Sequence, residues 1–96
     1  MYRQGDLLFE AANIPAGAKA LATRVLAEGE VTGHAHVVQG DVTLYELNGV
    51  LYIHVEETAT ITHEEHAGIT LPAGDYRVVR QREYNPYERV AREVAD

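Results

Sequence analysis

Ninety-six residues carrying 15 acids against 8 lysines and arginines, a formal charge of −7, bound the chain to one domain with one modest core. The acid excess excludes nucleic acid held through its phosphates, and no uncharged apolar run is long enough to span a bilayer, so neither nucleic acid nor membrane is an expected partner. Without cysteine there is no disulfide framework and no thiolate metal site, which leaves imidazole and carboxylate to hold any metal.

The stretch from Met1 to Asp6 lacks the apolar segment of a signal peptide, and the expected address is cytoplasmic. A short apolar run, Gly5 to Glu10, reads as a first strand, broken by Asn13-Ile14-Pro15-Ala16-Gly17. Ala20 to Ala27 reads as a second strand and Val31 to Gln39 as a third, with Gly40-Asp41 as the turn that ends it. The strongest local signal follows. Asn48-Gly49 lies between two alternating apolar runs and is the preferred pair for a type I′ two-residue hairpin. That turn sets a register of Leu47 opposite Val50, Tyr45 opposite Tyr52, Leu44 opposite Ile53 and Val42 opposite Val55. Val42, Leu44, Leu51, Ile53 and Val55 then share the core face, and Thr43, Tyr45, Tyr52 and His54 the other.

Thr58 to His63, rich in threonine and isoleucine, reads as another strand, with Glu64 to Gly68 as a bend and Pro72-Ala73-Gly74-Asp75 as a further turn. Tyr76 to Tyr84 completes the strands, and its Arg77, Arg80 and Arg82 relieve the acidity locally, enough to admit a small anionic ligand. The period then changes. Asn85-Pro86-Tyr87-Glu88 matches a helix start, and Tyr87, Val90, Ala91 and Val94 make an apolar stripe. Short strands at regular spacing imply an all-β fold, a small antiparallel β-barrel or sandwich over residues 1–84. The tail, residues 85–96, is expected to form an amphipathic helix that docks on the barrel or on a second subunit, giving a homo-oligomer.

The chemistry is concentrated in the histidines. Four of the five lie in two clusters, His34-Ala35-His36 and His63-Glu64-Glu65-His66. Residues i and i+2 of a strand face the same way, so His34 and His36 present two imidazoles side by side. His63 and His66, at i and i+3, converge only if Glu64-Glu65 bends the chain; on a straight strand His63 alone would join the site. His-Glu-Glu-His is not a zincin motif, which places its histidines at i and i+4 on a helix. Imidazole suits first-row transition metals, with zinc the default and iron, nickel and copper also compatible. Three histidines leave an open position for catalysis and four close the site. Glu64, Glu65 and Glu30 are the nearby carboxylates; Glu64 and Glu65 are the candidates for a general base on metal-bound water, a partner that orients an imidazole, or a further ligand. Wet surface histidines paired with acids, or a non-catalytic interaction module, are the competing readings. His54 reads as a packed or surface residue, and Tyr45 with Tyr52 as a cross-strand pair or the wall of a small-molecule pocket.

Gln4-Gly5-Asp6, the Gly29–His36 stretch Gly-Glu-Val-Thr-Gly-His-Ala-His, His63-Glu64-Glu65-His66 and Gln81-Arg82-Glu83-Tyr84 together resemble a group of small uncharacterised bacterial and phage proteins, a resemblance that implies no particular activity. Gly29 ahead of His34 and His36, with Gly68 to Gly74 containing Pro-x-Gly, also resembles parts of the cupin superfamily, which implies a jelly-roll barrel holding a metal inside. The chain departs from that pattern: no glutamate follows His36 at the usual short distance and no histidine follows Gly74, so the cupin resemblance transfers no ligand beyond His34 and His36.

Overall fold

The computed structural model describes residues 1–28 and 35–80. Among them the chain is all-β: β1 (Tyr2–Gln4), β2 (Leu7–Ala11), β3 (Lys19–Leu21), β4 (Val25–Glu28), β5 (Ala35–Leu47), β6 (Val50–Thr62) and β7 (Ile69–Arg80). All pairings are antiparallel, and the sheet runs β1-β2-β7-β6-β5-β3, with β4 also on β5. The expected barrel is not formed. Among the described residues β1 at one edge does not pair with β3 or β4 at the other, so the sheet stays open and the closed barrel that the cupin resemblance implies is absent. No helix occurs among the described residues, none is therefore long and apolar enough to cross a membrane, and the expected tail helix lies outside them.

The β5–β6 hairpin is built as its turn chemistry dictates. Asn48 and Gly49 both take positive φ, 52° and 81°, which a type I′ turn requires at its two central residues. The resulting register pairs Leu47 with Val50, Tyr45 with Tyr52, Leu44 with Ile53 and Val42 with Val55. Leu44, Ile53 and Val55 are buried on one face as expected, and Tyr45, Tyr52 and His54 remain half-buried on the other.

Beyond the hairpin, turn signals do something different. Gly40-Asp41 and Pro72-Ala73-Gly74-Asp75 do not reverse the chain; β5 and β7 run straight through them. Each coincides with a register shift, between Gly40 and Val42 on β5 and between Val55 and Thr58 on β6 where it faces β7. The shifts line up: Val42 pairs with Val55 and Val55 with Gly74 on one side, Gly40 with Ala59 and Ala59 with Leu71 on the other. Extra residues on one strand bend it and increase its twist, so these aligned bulges form a crease across three strands. The residues on the crease, Gln39 to Asp41, Glu56 to Thr58 and Pro72 to Gly74, are exposed.

The crease accounts for the core. With no helical layer among the described residues, a flat sheet would leave both faces wet, yet Leu7, Phe9, Val38, Ile53, Ile61 and Leu71 are at most 1% exposed. These residues come from both sides of the crease and belong to one apolar cluster. The sheet covers itself by bending, and each fully buried aliphatic or aromatic side chain contributes about 1.5–3 kcal/mol. The same crease splits the edge strand expected over Ala20–Ala27 into β3 and β4. Leu21 pairs with Leu44 and Val25 with Val37, so three edge residues must bypass six on β5. Arg24 fills the break: its carbonyl accepts from the Val38 N–H at 2.9 Å and its Nη1 donates to the Gly40 carbonyl at 2.8 Å. Gly5-Asp6, expected at the start of a strand, instead forms the tight turn between β1 and β2, with Gly5 at φ 58°.

Gly40 is the least replaceable residue of the crease. Its φ of 116° lies where side chains are strained, and a Cβ there would stand 2.7 Å from the Thr58 carbonyl oxygen. Gly40→Ala is expected to lower unfolding free energy by about 1–3 kcal/mol, read from the urea midpoint at unchanged slope; an unaltered midpoint would mean that the crease tolerates a side chain.

Candidate functional site

Three of the four clustered histidines meet. His36 projects from β5; His63 follows the end of β6; His66 sits in the bend that Glu64, Glu65 and His66 form before β7. The bend does what the i, i+3 spacing demanded and brings His63 and His66 to a ring-centroid distance of 4.5 Å. His63 lies 4.3 Å from His36, and the outer rings of His36 and His66 are 6.0 Å apart at an interplanar angle of 11°. The three imidazoles form a triangular cluster, the histidine stack, in which His36 and His66 are near-parallel and His63 is tilted by 41° and 39° to them; it is buried at His36 and exposed at His66. His34 and Glu30 lie outside the described residues. Among the described residues no group of three or more histidine, aspartate and glutamate side chains stands arranged to hold a metal ion.

The β1–β2 turn supplies the floor. Gln4, 2% exposed, donates both amide hydrogens, to the Ile61 carbonyl at 2.8 Å and the Ala67 carbonyl at 2.9 Å. Its Oε1 lies 2.9 Å from His36 Nδ1. Gly5 has no side chain because none fits: a Cβ there would meet His66 Nε2 at 2.6 Å. Asp6 Oδ1 is 3.3 Å from His36 Nε2, and its Oδ2 accepts from Arg80 Nε at 3.0 Å. Gln4, Gly5 and Asp6 all touch the histidine stack or its anchors. None is a site residue on sequence grounds; Gln4-Gly5-Asp6 carries part of the resemblance to the small bacterial and phage proteins, and a glycine between two polar residues marks a turn, but neither says what the turn faces.

The two glutamates of the bend have distinct places. Glu64 Oε2 accepts from the Ala35 backbone N–H at 3.2 Å, tying the bend to the start of β5. Glu65 is exposed, and its backbone N–H donates to His63 Nδ1 at 3.0 Å. The arginines of β7 expected to offer an anion site are engaged by acids: Arg77 with Glu10 of β2 and Arg80 with Asp6 of the β1–β2 turn, while Arg82 lies outside the described residues.

His54 stands apart from the stack. Its Nδ1 is 2.6 Å from Asp75 Oδ1 on the neighbouring strand and its Nε2 is 2.9 Å from Glu56 Oε1 on its own. It edges a separate cleft of about 290 Å³ that Ile14, Pro15, Tyr45 and Asp75 also line. Tyr45 therefore both pairs with Tyr52 and walls a concavity.

Electrostatics separates the two buried or bridged histidines. Burial is the main force holding the His36 pKa below the ordinary 6.5; the neighbouring His63 and His66 add to it, against a smaller opposite pull from Asp6. Burial alone would raise the Asp6 carboxyl above 3.8, but the Arg80 hydrogen bond and charge, with help from its own backbone and His36, outweigh it and lower the value. The Asp75 hydrogen bond, followed by that of Glu56, raises His54 above 6.5.

The family described as Domain of unknown function (DUF8820) matches residues 3–81, and the chain belongs to it. The matched span contains the β1–β2 turn and all three stacked histidines. No curated protein and no solved structure matches the chain.

The opposite shifts have opposite linkage. The fold favours charged His54, so that contribution is complete below pH 6.5 and is lost as pH rises through the raised folded value; the fold favours neutral His36, so stability falls as pH drops from 6.5 through the lowered one. In a histidine-resolved NMR titration of the metal-free protein, His54 is expected to titrate above 6.5 and His36 below it, and Asp75→Asn to bring His54 down while leaving His36 in place. Equal midpoints for the two rings would contradict the hydrogen bonding described.

Proposed function

We propose that the histidine stack is a binding site for one divalent transition-metal ion, with His36, His63 and His66 as its nitrogen donors. The observation that carries this reading is the meeting of three imidazoles from two separate segments, β5 and the β6–β7 connection, within ring-centroid distances of 4.3 to 6.0 Å. Imidazole nitrogen suits zinc first and also iron, nickel and copper. Binding requires His63 and His66 to turn about their side-chain torsions so that their nitrogens point to a common centre with that of His36. His63 must also give up the hydrogen bond that its Nδ1 accepts from Glu65 or bind through that nitrogen. These rearrangements are affordable: the exposed His66 has little packing to lose, and one neutral hydrogen bond is worth about 0.5–1.5 kcal/mol, against about 10 kcal/mol or more for a histidine- or thiolate-held zinc. An ion held by three protein ligands keeps a position for water or a small oxygen-bearing substrate, the enzymatic form of this reading; a further protein ligand would close it as a structural clip. Glu64 and Glu65, on the bend beside the ion, are the carboxylates that would serve as base or orienting partner. Residues 1–84 would form the metal-binding unit, and residues 85–96 a helix that joins copies of the chain in the cytoplasm.

The competing reading is a metal-free interaction module in which the stack only pins the bend and the β1–β2 turn to the sheet. The absence, among the described residues, of a group of side chains arranged to hold a metal ion favours it.

Calorimetric titration of chelator-stripped protein with zinc separates the two. One ion per chain is expected, with His36→Ala and His63→Ala each weakening binding by about 100-fold. Absence of binding, together with a loss of stability in both variants, would establish the interaction module instead.

A further inference from the structure

We propose that the cleft beside His54 is a binding site for a small free amine, taken up as an ammonium ion on a short apolar stem. The proposal is independent of the histidine stack, which shares no residue with this cleft.

The cleft arises where the β2–β3 loop lies over the sheet. Tyr45 on β5, His54 on β6 and Asp75 on β7 line one side of it. Their chain neighbours Leu44, Ile53 and Tyr76 are buried in the apolar cluster, so the cleft sits on the opposite face. Ile14, Pro15, Ala16 and Ala18 of the loop form the other side. That wall is fixed at both ends. The Ala12 N–H donates to the Asp75 carbonyl at 3.1 Å, the Ala18 N–H donates to the Pro15 carbonyl at 3.0 Å, and Lys19 to Leu21 then pair with β5. At about 290 Å³ the cleft falls just under the range of about 300–1,000 Å³ usual for small-molecule sites, which suits a ligand of a few heavy atoms.

Charge selects the head group of the ligand. His54 has a carboxylate oxygen at each ring nitrogen, Asp75 Oδ1 at 2.6 Å and Glu56 Oε1 at 2.9 Å, so both nitrogens donate and the ring is an imidazolium. One positive ring between two carboxylates leaves one net negative charge. Neighbouring cations do not cancel it. Arg77 shares the face of Asp75 but is paired with Glu10, and Lys19 stands opposite Glu46, which points to the other face from Tyr45. His54 takes up Asp75 Oδ1, which leaves Oδ2 for a donor from the ligand. Tyr45 adds a hydroxyl and an aromatic face, and aromatic faces attract ammonium ions. An anion, by contrast, would have to displace Glu56 from His54 and still meet Asp75.

The loop selects the stem. A half-exposed ion pair holds little by itself, so the remaining affinity must come from Ile14, Pro15 and the two alanines, none of which has a side-chain hydrogen-bonding group. Carboxylate on one side and hydrocarbon on the other fit an alkylamine and reject a sugar or a phosphate ester.

The test is an NMR titration of the full chain with n-butylamine at about pH 6, below the raised His54 value. Saturable shifts are expected at Ala18, Tyr45, His54 and Asp75, with a Kd of about 1 mM, and none at His36. n-Butanol and butyrate, which carry a neutral and an anionic head on a similar stem, should bind about tenfold more weakly or less well still. Removing one methylene, as in n-propylamine, should weaken binding about three- to fourfold. Asp75→Asn should weaken it about tenfold, and Ala18→Leu, which fills the cleft from the loop and leaves the charged groups in place, should abolish it. Butyrate or n-butanol binding as tightly as the amine, or undiminished shifts in Ala18→Leu, would overturn the proposal. So would a wild type that shows no saturable shift, or that binds Nα-acetyl-lysine methylamide more tightly than n-butylamine, which would assign the cleft to lysine side chains of another protein. Should Asp75→Asn fail to fold, the series of head groups on the wild type still decides.

Discussion

The side-chain amide of Gln4 is the contact on which the site depends. It is buried, and its three hydrogen bonds tie β1 to the end of β6, to the β6–β7 bend and to His36 on β5. Removing it would leave two carbonyls and one imidazole N–H without their partner, each at a cost of about 1–3 kcal/mol if buried and unsatisfied. The residues it joins are far apart in the chain, so this single group converts three local conformations into one surface. Gly5 and Asp6 follow directly: with Gln4 fixed, the turn lays Gly5 against the His66 ring and brings Asp6 to His36.

A second constraint sets the sheet that presents this surface. A small chain with no helical layer among its described residues can bury a core only by folding its sheet on itself. The extra residues of β6 at Glu56 to Thr58, facing the register shifts at Gly40–Val42 and Pro72–Gly74, accomplish this, and the resulting curvature collects Val38, Ile61 and Leu71 with Leu44 and Ile53 in one cluster. An open, creased sheet keeps two edges that a barrel would have removed. One is the three-residue β1 and the other is split into the short β3 and β4, and short edges of this kind limit edge-to-edge association.

The chemical character of the candidate site follows from how unlike its histidines are. His36 is buried, neutral in preference and locked by Gln4; His66 is exposed and limited mainly by Gly5; His63 lies between them with its Nδ1 engaged by the Glu65 N–H. His54 forms a separate unit, an imidazole bridged between Asp75 and Glu56 across β6 and β7, and has no part in the stack.

What the sequence by itself determined is local. Asn48-Gly49 imposes positive φ at two successive residues, a demand so specific that it set the hairpin, its register and its buried face without reference to the rest of the chain. The Glu64-Glu65 bend was legible in the same way, as the only means by which His63 and His66 could converge. Gly40-Asp41 and Pro72-Ala73-Gly74 were visible as breaks in regular structure, but whether a break reverses a strand or shifts its register depends on what the neighbouring strands do, and that is not written in the residues concerned. The same holds for the site. Spacing showed that His36, His63 and His66 were concentrated; only the tertiary structure decided that Gln4 and Asp6, 32 and 30 residues before His36, stand against it. Period and turn chemistry act over a few residues, whereas a buried amide selects its partners by where the folded chain brings carbonyls and imidazoles together.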